Sequence, residues 1–317
     1  MILLAVRLVR FLIQEYPFVQ MRSQFEKLLT NTLLISCRAY LQHGATHLFA
    51  KQQTEIDLLQ AILNIQASME VVAKLHHVNA DGWKAIVRDK FHNESEATLL
   101  DKLNKGELQT KFYEQSKLYL ISRKELPIDA AELLGKLQGY RNSIAHLGLP
   151  SLSSDIKGEI ITLMVRVLNT LVWEALTKYS YLSNRASSIF GTELFGRIIA
   201  DPTYISEAID LAHEISAKVR NCPECGHKAW AQTEYGELDI VCLCCGFAMT
   251  SDMVGFADCP VCGSEGDLYY DAINTPDNNV VAAKCLHCDQ KLSVVLCSQC
   301  GHVSQAMPKW VCPKCPS

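Results

Sequence analysis

Six Cys-x-x-Cys pairs near the carboxyl end constrain the fold of this chain more than any other feature. The sequence holds 14 cysteines, of which only Cys37 lies before residue 222. A Cys-x-x-Cys turn places two thiolates on one side of a tight loop, which is half of a tetrahedral zinc site. We therefore expect twelve metal ligands: Cys222, Cys225, Cys242, Cys245, Cys259, Cys262, Cys285, Cys288, Cys297, Cys300, Cys312 and Cys315. Cys244 is left over.

Two of these turns, Cys222-Pro-Glu-Cys225-Gly and Cys259-Pro-Val-Cys262-Gly, combine a proline that presets φ with a glycine that permits positive φ. If the pairs combine in chain order, the gaps 226–241, 263–284 and 301–311 contain 16, 22 and 11 residues, each enough for a β-hairpin. This order predicts three zinc ribbons and about three structural zinc ions per chain, with no catalytic metal. A cross-braced arrangement would use the same cysteines differently, and the spacing leaves both open.

The charge of the tail argues against a nucleic-acid partner there. Residues 186–317 contain 8 Lys and Arg against 16 Asp and Glu, a balance of −8, whereas residues 1–185 contain 22 against 18. Each zinc bound by four thiolates adds a formal negative charge, while phosphate binding needs a cationic surface. We therefore expect a protein partner at the acidic tail. Lys291, Lys309 and Lys314 form a local basic patch that favours nucleic acid instead.

The chain before the cysteines has helical periodicity, and no alternating strand pattern precedes residue 190. Thr54 is a typical helix cap, and helices are expected from there to about Leu75, over 83–92, 94–104 and 107–123, and after Ser154-Asp155. The predicted fold is mainly α, with small β zinc-ribbon modules after a helical bundle. Its expected units are the bundle at 1–182, a linker plus helix at 183–220, and ribbons at 221–251, 257–293 and 295–317.

The amino-terminal segment 1–13 is apolar, but Arg7 and Arg10 interrupt it and no small-residue cleavage site follows. No segment contains the roughly 18 consecutive apolar residues of a membrane-spanning helix. We therefore expect a cytoplasmic protein with reduced thiols and no membrane partner. The first segment is interpreted as a core or dimerisation helix rather than an anchor.

A second set of reactive side chains lies late in the helical region, in the segment Gly-Tyr-Arg-Asn-Ser-Ile-Ala-His-Leu-Gly at 139–148. Asn142 and His146 are four residues apart and so share one face of a helix, with Arg141 beside them. An arginine can bind two phosphate oxygens at once, and a histidine can transfer protons near neutral pH. The segment is therefore a candidate site for phosphodiester chemistry.

The Arg141-Asn142-x3-His146 motif, late in an all-helical region, resembles that of the HEPN superfamily, whose mark is Arg, usually then a polar residue, and His four to six residues on. The resemblance covers roughly residues 20–180 in element order and only the motif in identity, and it does not extend to the cysteine-rich tail. Arg38 and His43 have the same spacing but lack the polar residue after the arginine. We interpret that pair as a solvated helix face.

The resemblance implies a helical domain that forms a homodimer and, in many members, a metal-independent endoribonuclease of toxin–antitoxin, antiviral or RNA-processing systems. It assigns catalysis to Arg141, Asn142 and His146, acting on RNA whose 2′-OH attacks the adjacent phosphate. One motif has one imidazole, and a dimer brings two into one cleft. Two alternatives stay open: a non-enzymatic dimerisation scaffold with a zinc-ribbon adaptor, and a regulator that binds nucleic acid through the ribbons.

Overall fold

The computed structural model describes residues 23–122, 128–147, 155–167, 185–232, 240–273, 279–307 and 311–315. Within these ranges the chain forms nine α-helices followed by two small antiparallel sheets, which confirms the mainly α fold with a β-rich tail. The helix expected over residues 1–13 lies outside the described residues. The helices are α1 Gln24–Leu48, α2 Glu55–Asp81, α3 Glu96–Asn104, α4 Tyr113–Ser122, α5 Ile128–Leu147, α6 Ile156–Val167, α7 Arg185–Phe190, α8 Thr192–Ile198 and α9 Pro202–Ile215.

The long antiparallel helices α1 and α2 form the centre of the helical domain. Thr54, the predicted cap of α2, forms a reciprocal capping box with Asp57, which satisfies two backbone N–H groups that the helix leaves free. Gly44 of α1 is needed where the two helices touch, because a Cβ there would lie 2.7 Å from Cγ1 of Ile65. This close contact anchors the core that the other helices cover.

Helix α2 continues past Leu75, where the sequence predicted its end, as far as Asp81. The imidazole of His77 stacks on the ring of Tyr119 in α4 at a centroid distance of 3.9 Å. Packing of this kind overrides the weak local propensity on which the expectation rested. Gly82 then ends the helix with a φ of 80°.

The connection from α2 to α4 is less helical than expected. Trp83–Ala85 and Asp89–Phe91 are single 3₁₀ turns, and only α3 forms a regular helix in this stretch. Val87 pairs with Thr110 in an isolated antiparallel bridge, which is why the next helix, α4, starts at Tyr113 and not near residue 107.

The first cysteine module packs directly on the helical domain. Within the predicted linker plus helix at 183–220, the described residues from 185 form α7 and α8, and α9 corresponds to the expected helix. A four-stranded antiparallel sheet follows, with strands β1 Val219–Arg220, β2 Trp230–Gln232, β3 Ile240–Cys242 and β4 Ala248–Met249. Trp230 and Phe247 of this module belong to the same apolar cluster as Leu41 of α1 and Ile62 of α2. The helical domain and the first module therefore share one core.

The second and third cysteine modules share a five-stranded antiparallel sheet. Its strands, in sheet order, are β5 Val254–Ala257, β6 Leu268–Asp271, β7 Val280–Cys285, β8 Lys291–Leu296 and β9 Val303–Gln305. The hairpin expected in the gap 263–284 is formed by β6 and β7. Strand β8 pairs with β7 on one side and β9 on the other. The boundary expected at 293–295 therefore lies inside a strand.

The two sheets meet around Trp230 of β2. Its indole lies 5.7 Å from the ring of Phe256 and 5.5 Å from that of Tyr269, both in the second sheet. Arg220 covers Phe256 with its guanidinium 3.8 Å from the ring centroid, and its Nε donates to the carbonyl of Gly266. These contacts join the first and second modules into one packed unit.

Candidate metal centres and catalytic face

The twelve paired cysteines gather into three groups of four, each built from two Cys-x-x-Cys turns that are consecutive in the chain. In each group the four sulfur atoms lie within 4.8 Å of one another. The groups are Cys222, Cys225, Cys242 and Cys245; Cys259, Cys262, Cys285 and Cys288; and Cys297, Cys300, Cys312 and Cys315. This is the sequential order of three ribbons and not the cross-braced order.

The spacing of the sulfur atoms fits a tetrahedral ion. The distances across the first, second and third groups are 3.7, 3.8 and 3.5 Å, for the pairs Cys222–Cys245, Cys262–Cys285 and Cys300–Cys312. Four sulfur atoms bound to zinc at about 2.3 Å stand roughly 3.8 Å apart at the corners of a tetrahedron. Each group could therefore hold one metal ion.

Two of the turns, those that begin at Cys259 and Cys297, favour the thiolate form of their first cysteine. Hydrogen bonds from backbone N–H groups of the turn lower the pKa of the Cys297 thiol to about 6, and the N–H of Cys300 has the largest effect. At Cys259 burial opposes ionisation, but N–H groups of its own turn outweigh it and lower the pKa to about 7. Gly226 and Gly263, each directly after a second cysteine, have φ values of 78° and 74°, as the sequence predicted. Hydrogen bonds to sulfur stabilise the negative charge that a metal ligand carries.

Cys244, the unpaired cysteine, lies outside the four sulfur atoms of the first group. It is fully buried, and its carbonyl accepts a hydrogen bond of 2.8 Å from the hydroxyl of Tyr204 in α9. The nearby Cys225 sulfur, followed by burial, raises the pKa of its thiol well above the usual range. Its backbone joins the first metal group to the helical domain, a role that the sequence did not indicate.

Two further hydrogen bonds join the first module to the helices. The N–H of Ala186 in α7 donates to the carbonyl of Cys245 at 3.1 Å, and a ring nitrogen of His227 lies 3.1 Å from the carbonyl of Ile199. The first metal group is thus held by the same residues that close the helical core. The second and third groups each keep one exposed cysteine, Cys262 and Cys300.

The candidate catalytic residues lie on α5, the helix that ends at Leu147. Arg141 and Asn142 are exposed, and Nη1 of Arg141 donates to Oδ1 of Asn142 at 3.0 Å. The helical backbone continues through His146, in its last turn, so positions 142 and 146 occupy one face. The side chain of His146 lies outside the described part of the structure.

The same face of α5 carries two glycines that the motif analysis passed over. Gly135 and Gly139 precede Asn142 by seven and three residues, and such spacing places all of them in one stripe of the helix. A Cβ atom built at either glycine meets nothing within 4 Å. A glycine within a helix costs roughly 1 kcal/mol relative to alanine, and no contact within the described chain requires it here. The face is smooth and open.

The pair with the same spacing, Arg38 and His43, combines a half-buried arginine with an exposed histidine. The guanidinium of Arg38 donates to the carbonyl of Ser188 at 2.8 Å and so joins α1 to α7. His43 packs edge-on against His47, with ring centroids 4.8 Å apart. Arg38 thus joins two helices, while the exposed His43 agrees with the solvated helix face that the sequence suggested.

No protein-family model, curated protein or solved structure matched the chain when it was compared with each of these three groups. Of the described helices, α2 is long and apolar enough to cross a membrane, and half of its most apolar 18-residue window is buried within the protein.

Proposed function

We propose that this protein is a metal-independent endoribonuclease of the HEPN type, active as a homodimer and stabilised by three zinc ions. What supports the proposal is the exposed Arg141–Asn142 pair on a helix face that also carries position 146. An arginine, an amide and an imidazole at that spacing are the groups that RNA cleavage through the 2′-OH requires. The resemblance to HEPN domains rests on the same three residues.

The roles follow from the chemistry of each group. Arg141 binds the phosphate oxygens and stabilises the charge that develops on them, with Asn142 Oδ1 holding the guanidinium in place. His146 takes the proton of the 2′-OH or gives one to the leaving 5′-oxygen. The product is a 2′,3′-cyclic phosphate with a 5′-OH on the other fragment.

A second copy supplies the imidazole that a single motif lacks. One histidine cannot act as acid and base in the same step, so both groups have to come from two facing motifs. The open face at Gly135 and Gly139 gives the approach that such an arrangement needs, because a helix without side chains there can lie close to its neighbour.

Zinc is the proposed metal because four thiolates at tetrahedral spacing are its usual structural ligand set. The ions replace a hydrophobic core that such small modules cannot build alone, and they take no part in cleavage. The acidic surface of the tail is the proposed contact for a protein partner or regulator. A cytoplasmic toxin, defence or RNA-processing effector has this combination of parts.

The test is cleavage of single-stranded RNA in EDTA during incubations too short for zinc loss. We expect products with 2′,3′-cyclic phosphate and 5′-OH ends, and no cleavage of DNA of the same sequence, which lacks the attacking hydroxyl. Dependence on added divalent metal, or products with 3′-OH ends, would show a different mechanism.

A non-enzymatic scaffold is the second candidate, and one observation favours it. Arg141 and Asn142 are hydrogen-bonded to each other, as polar residues on a solvated helix face often are. Expression that leaves growth unaffected, together with intact RNA in the presence of candidate activators, would favour this function. Growth inhibition relieved by His146→Ala favours the nuclease.

A further inference from the structure

An exposed aromatic ring beside a fixed arginine lies on the connection between α2 and α4. The β-bridge between Val87 and Thr110 holds the two sides of this connection together, with the N–H of Lys111 donating to the carbonyl of Ile86 at 2.7 Å. Phe112, directly after this bridge, is 71% exposed. Most of its ring surface is therefore open to a ligand.

The arginine next to this ring is held by neutral acceptors. Nε of Arg88 donates to the carbonyl of Thr110 at 3.3 Å, and Nη1 donates to Oε1 of Gln109 at 3.1 Å. These bonds place its Cζ 5.3 Å from the centroid of Phe112. No described carboxylate is within ion-pair distance of Arg88, so no salt bridge occupies the guanidinium beside the exposed ring.

The first part of this connection, residues 83–92, carries more positive than negative charge. Lys84 and Lys90 are both exposed and lie over aromatic rings, at 5.5 Å from the centroid of Trp83 and 4.8 Å from that of Phe91. Residues 83–92 contain three cations, these two and Arg88, against a single carboxylate, Asp89. That carboxylate lies 3.1 Å from Nζ of Lys111. The excess of positive charge here contrasts with the acidic tail.

We propose that Phe112 and Arg88 form a stacking platform for an unpaired base of a single-stranded nucleic acid, with Lys84 and Lys90 binding the adjacent phosphates. Bases stack on aromatic rings and on guanidinium planes whatever their sequence, and lysines follow the backbone charge. RNA as the natural strand rests on the proposed function, whereas the platform itself takes RNA or DNA.

The experiment measures binding without cleavage. The full chain carrying His146→Ala is titrated into a fluorescein-labelled 12-nucleotide RNA, and in a parallel series into the DNA of the same sequence, with fluorescence anisotropy as the readout. Phe112→Ala should weaken binding of both strands roughly fivefold to a hundredfold, and Phe112→Trp should preserve it. The double change Lys84→Gln and Lys90→Gln should reduce the slope of log K against log salt by about 1.4.

Leu118→Ala is the matched control, because Leu118 is 60% exposed on α4 and is likewise apolar. Equal affinity of Phe112→Ala and Leu118→Ala, or an absence of binding by the starting protein, would overturn the platform. Loss of capture of a protein partner in Phe112→Ala, with RNA affinity unchanged, would also reject it in favour of a protein-docking site. Binding without cleavage by the unmodified chain would retain the platform and reject the nuclease, so the two proposals fail separately.

Discussion

Arg141 and Arg38 are each followed five residues later by a histidine, yet their contacts differ. The guanidinium of Arg38 donates a hydrogen bond to the backbone carbonyl of Ser188 in another helix, so this side chain stabilises the fold. Arg141 is exposed and bonds only to its neighbour Asn142 among the hydrogen bonds of the described chain. An arginine without a hydrogen bond to another element of the described chain is available to a substrate. We therefore predict a role in cleavage for Arg141 and a role in stability for Arg38.

Replacing the motif residues should remove cleavage and leave the fold intact. His146→Ala removes proton transfer and should lower the single-turnover rate roughly a hundredfold to ten-thousandfold. Arg141→Ala should have an effect of similar size through lost stabilisation of the phosphorane. Arg141→Lys should restore little activity, because one ammonium cannot replace a planar fork of donors.

The control is the double change Arg38→Ala and His43→Ala. It should lower thermal stability, since the tie between α1 and α7 is lost, and keep the cleavage rate per folded molecule. Loss of activity in this pair, combined with normal activity in the Arg141 and His146 variants, would show that the wrong motif was chosen.

Tyr204→Phe tests the link between the helices and the first metal group. The change removes the only donor that the structure records for the buried Cys244 carbonyl, and an unpaired buried acceptor costs about 1–3 kcal/mol. We expect lower stability in urea unfolding and an unchanged metal content.

Cys244→Ala should likewise keep all three ions, because Cys244 lies outside the four sulfur atoms of the first group. Loss of one ion, measured by elemental analysis, would show that Cys244 is a ligand.

Among the secondary-structure elements, the sequence predicted the features that are determined by residues close together in the chain. Thr54 and the Cys-x-x-Cys turns were readable because cap and ligand spacing are set within a few residues. Helices α7 and α8 were read as a linker because six or seven residues show no periodicity, and burial of Phe190 and Phe195 holds them in place. The sequence shows two glycines on this face of α5, but only the structure shows that no atom of the described residues fills the space beside them.

That open face leads to a prediction about assembly. Gly139→Ala should raise the stability of the isolated subunit by roughly 0.5–1 kcal/mol, since helix propensity improves and the new Cβ meets no atom. Gly139→Gln should instead separate the dimer and lower cleavage, because a long side chain prevents close approach of the second motif. Light scattering at micromolar concentration and thermal unfolding measure the two effects.

Asn31→Gln on the exposed side of α1 provides the comparison, since it lengthens an exposed helical side chain away from α5. It should leave the mass in solution unchanged. If Gly139→Gln stays dimeric and fully active, α5 is not the contact between subunits, and the glycines need another explanation.

Considered as a whole, the molecule divides differently from its sequence pattern. The first cysteine module lies in the core of the helical domain, while the second and third share another sheet, which has a small core of its own and packs on the first module around Trp230. A metal ion in the first group would therefore support the helices as well as its own turns. A metal ion in the third group would support little beyond the end of the tail.

The last prediction follows from this division. The purified, reduced chain should contain about three zinc ions, and a chelator should remove those of the second and third groups first, because each has one exposed cysteine, Cys262 or Cys300. The helical circular dichroism signal should fall only with the last ion.

Cys300→Ser should lose one ion and keep the melting temperature of the helices. Cys242→Ser should lose one ion and lower that melting temperature, since Cys242 is fully buried in the shared core. Equal melting of the two variants would mean that the first module folds independently of the helices, and a content of one ion or none would reject the three-centre assignment.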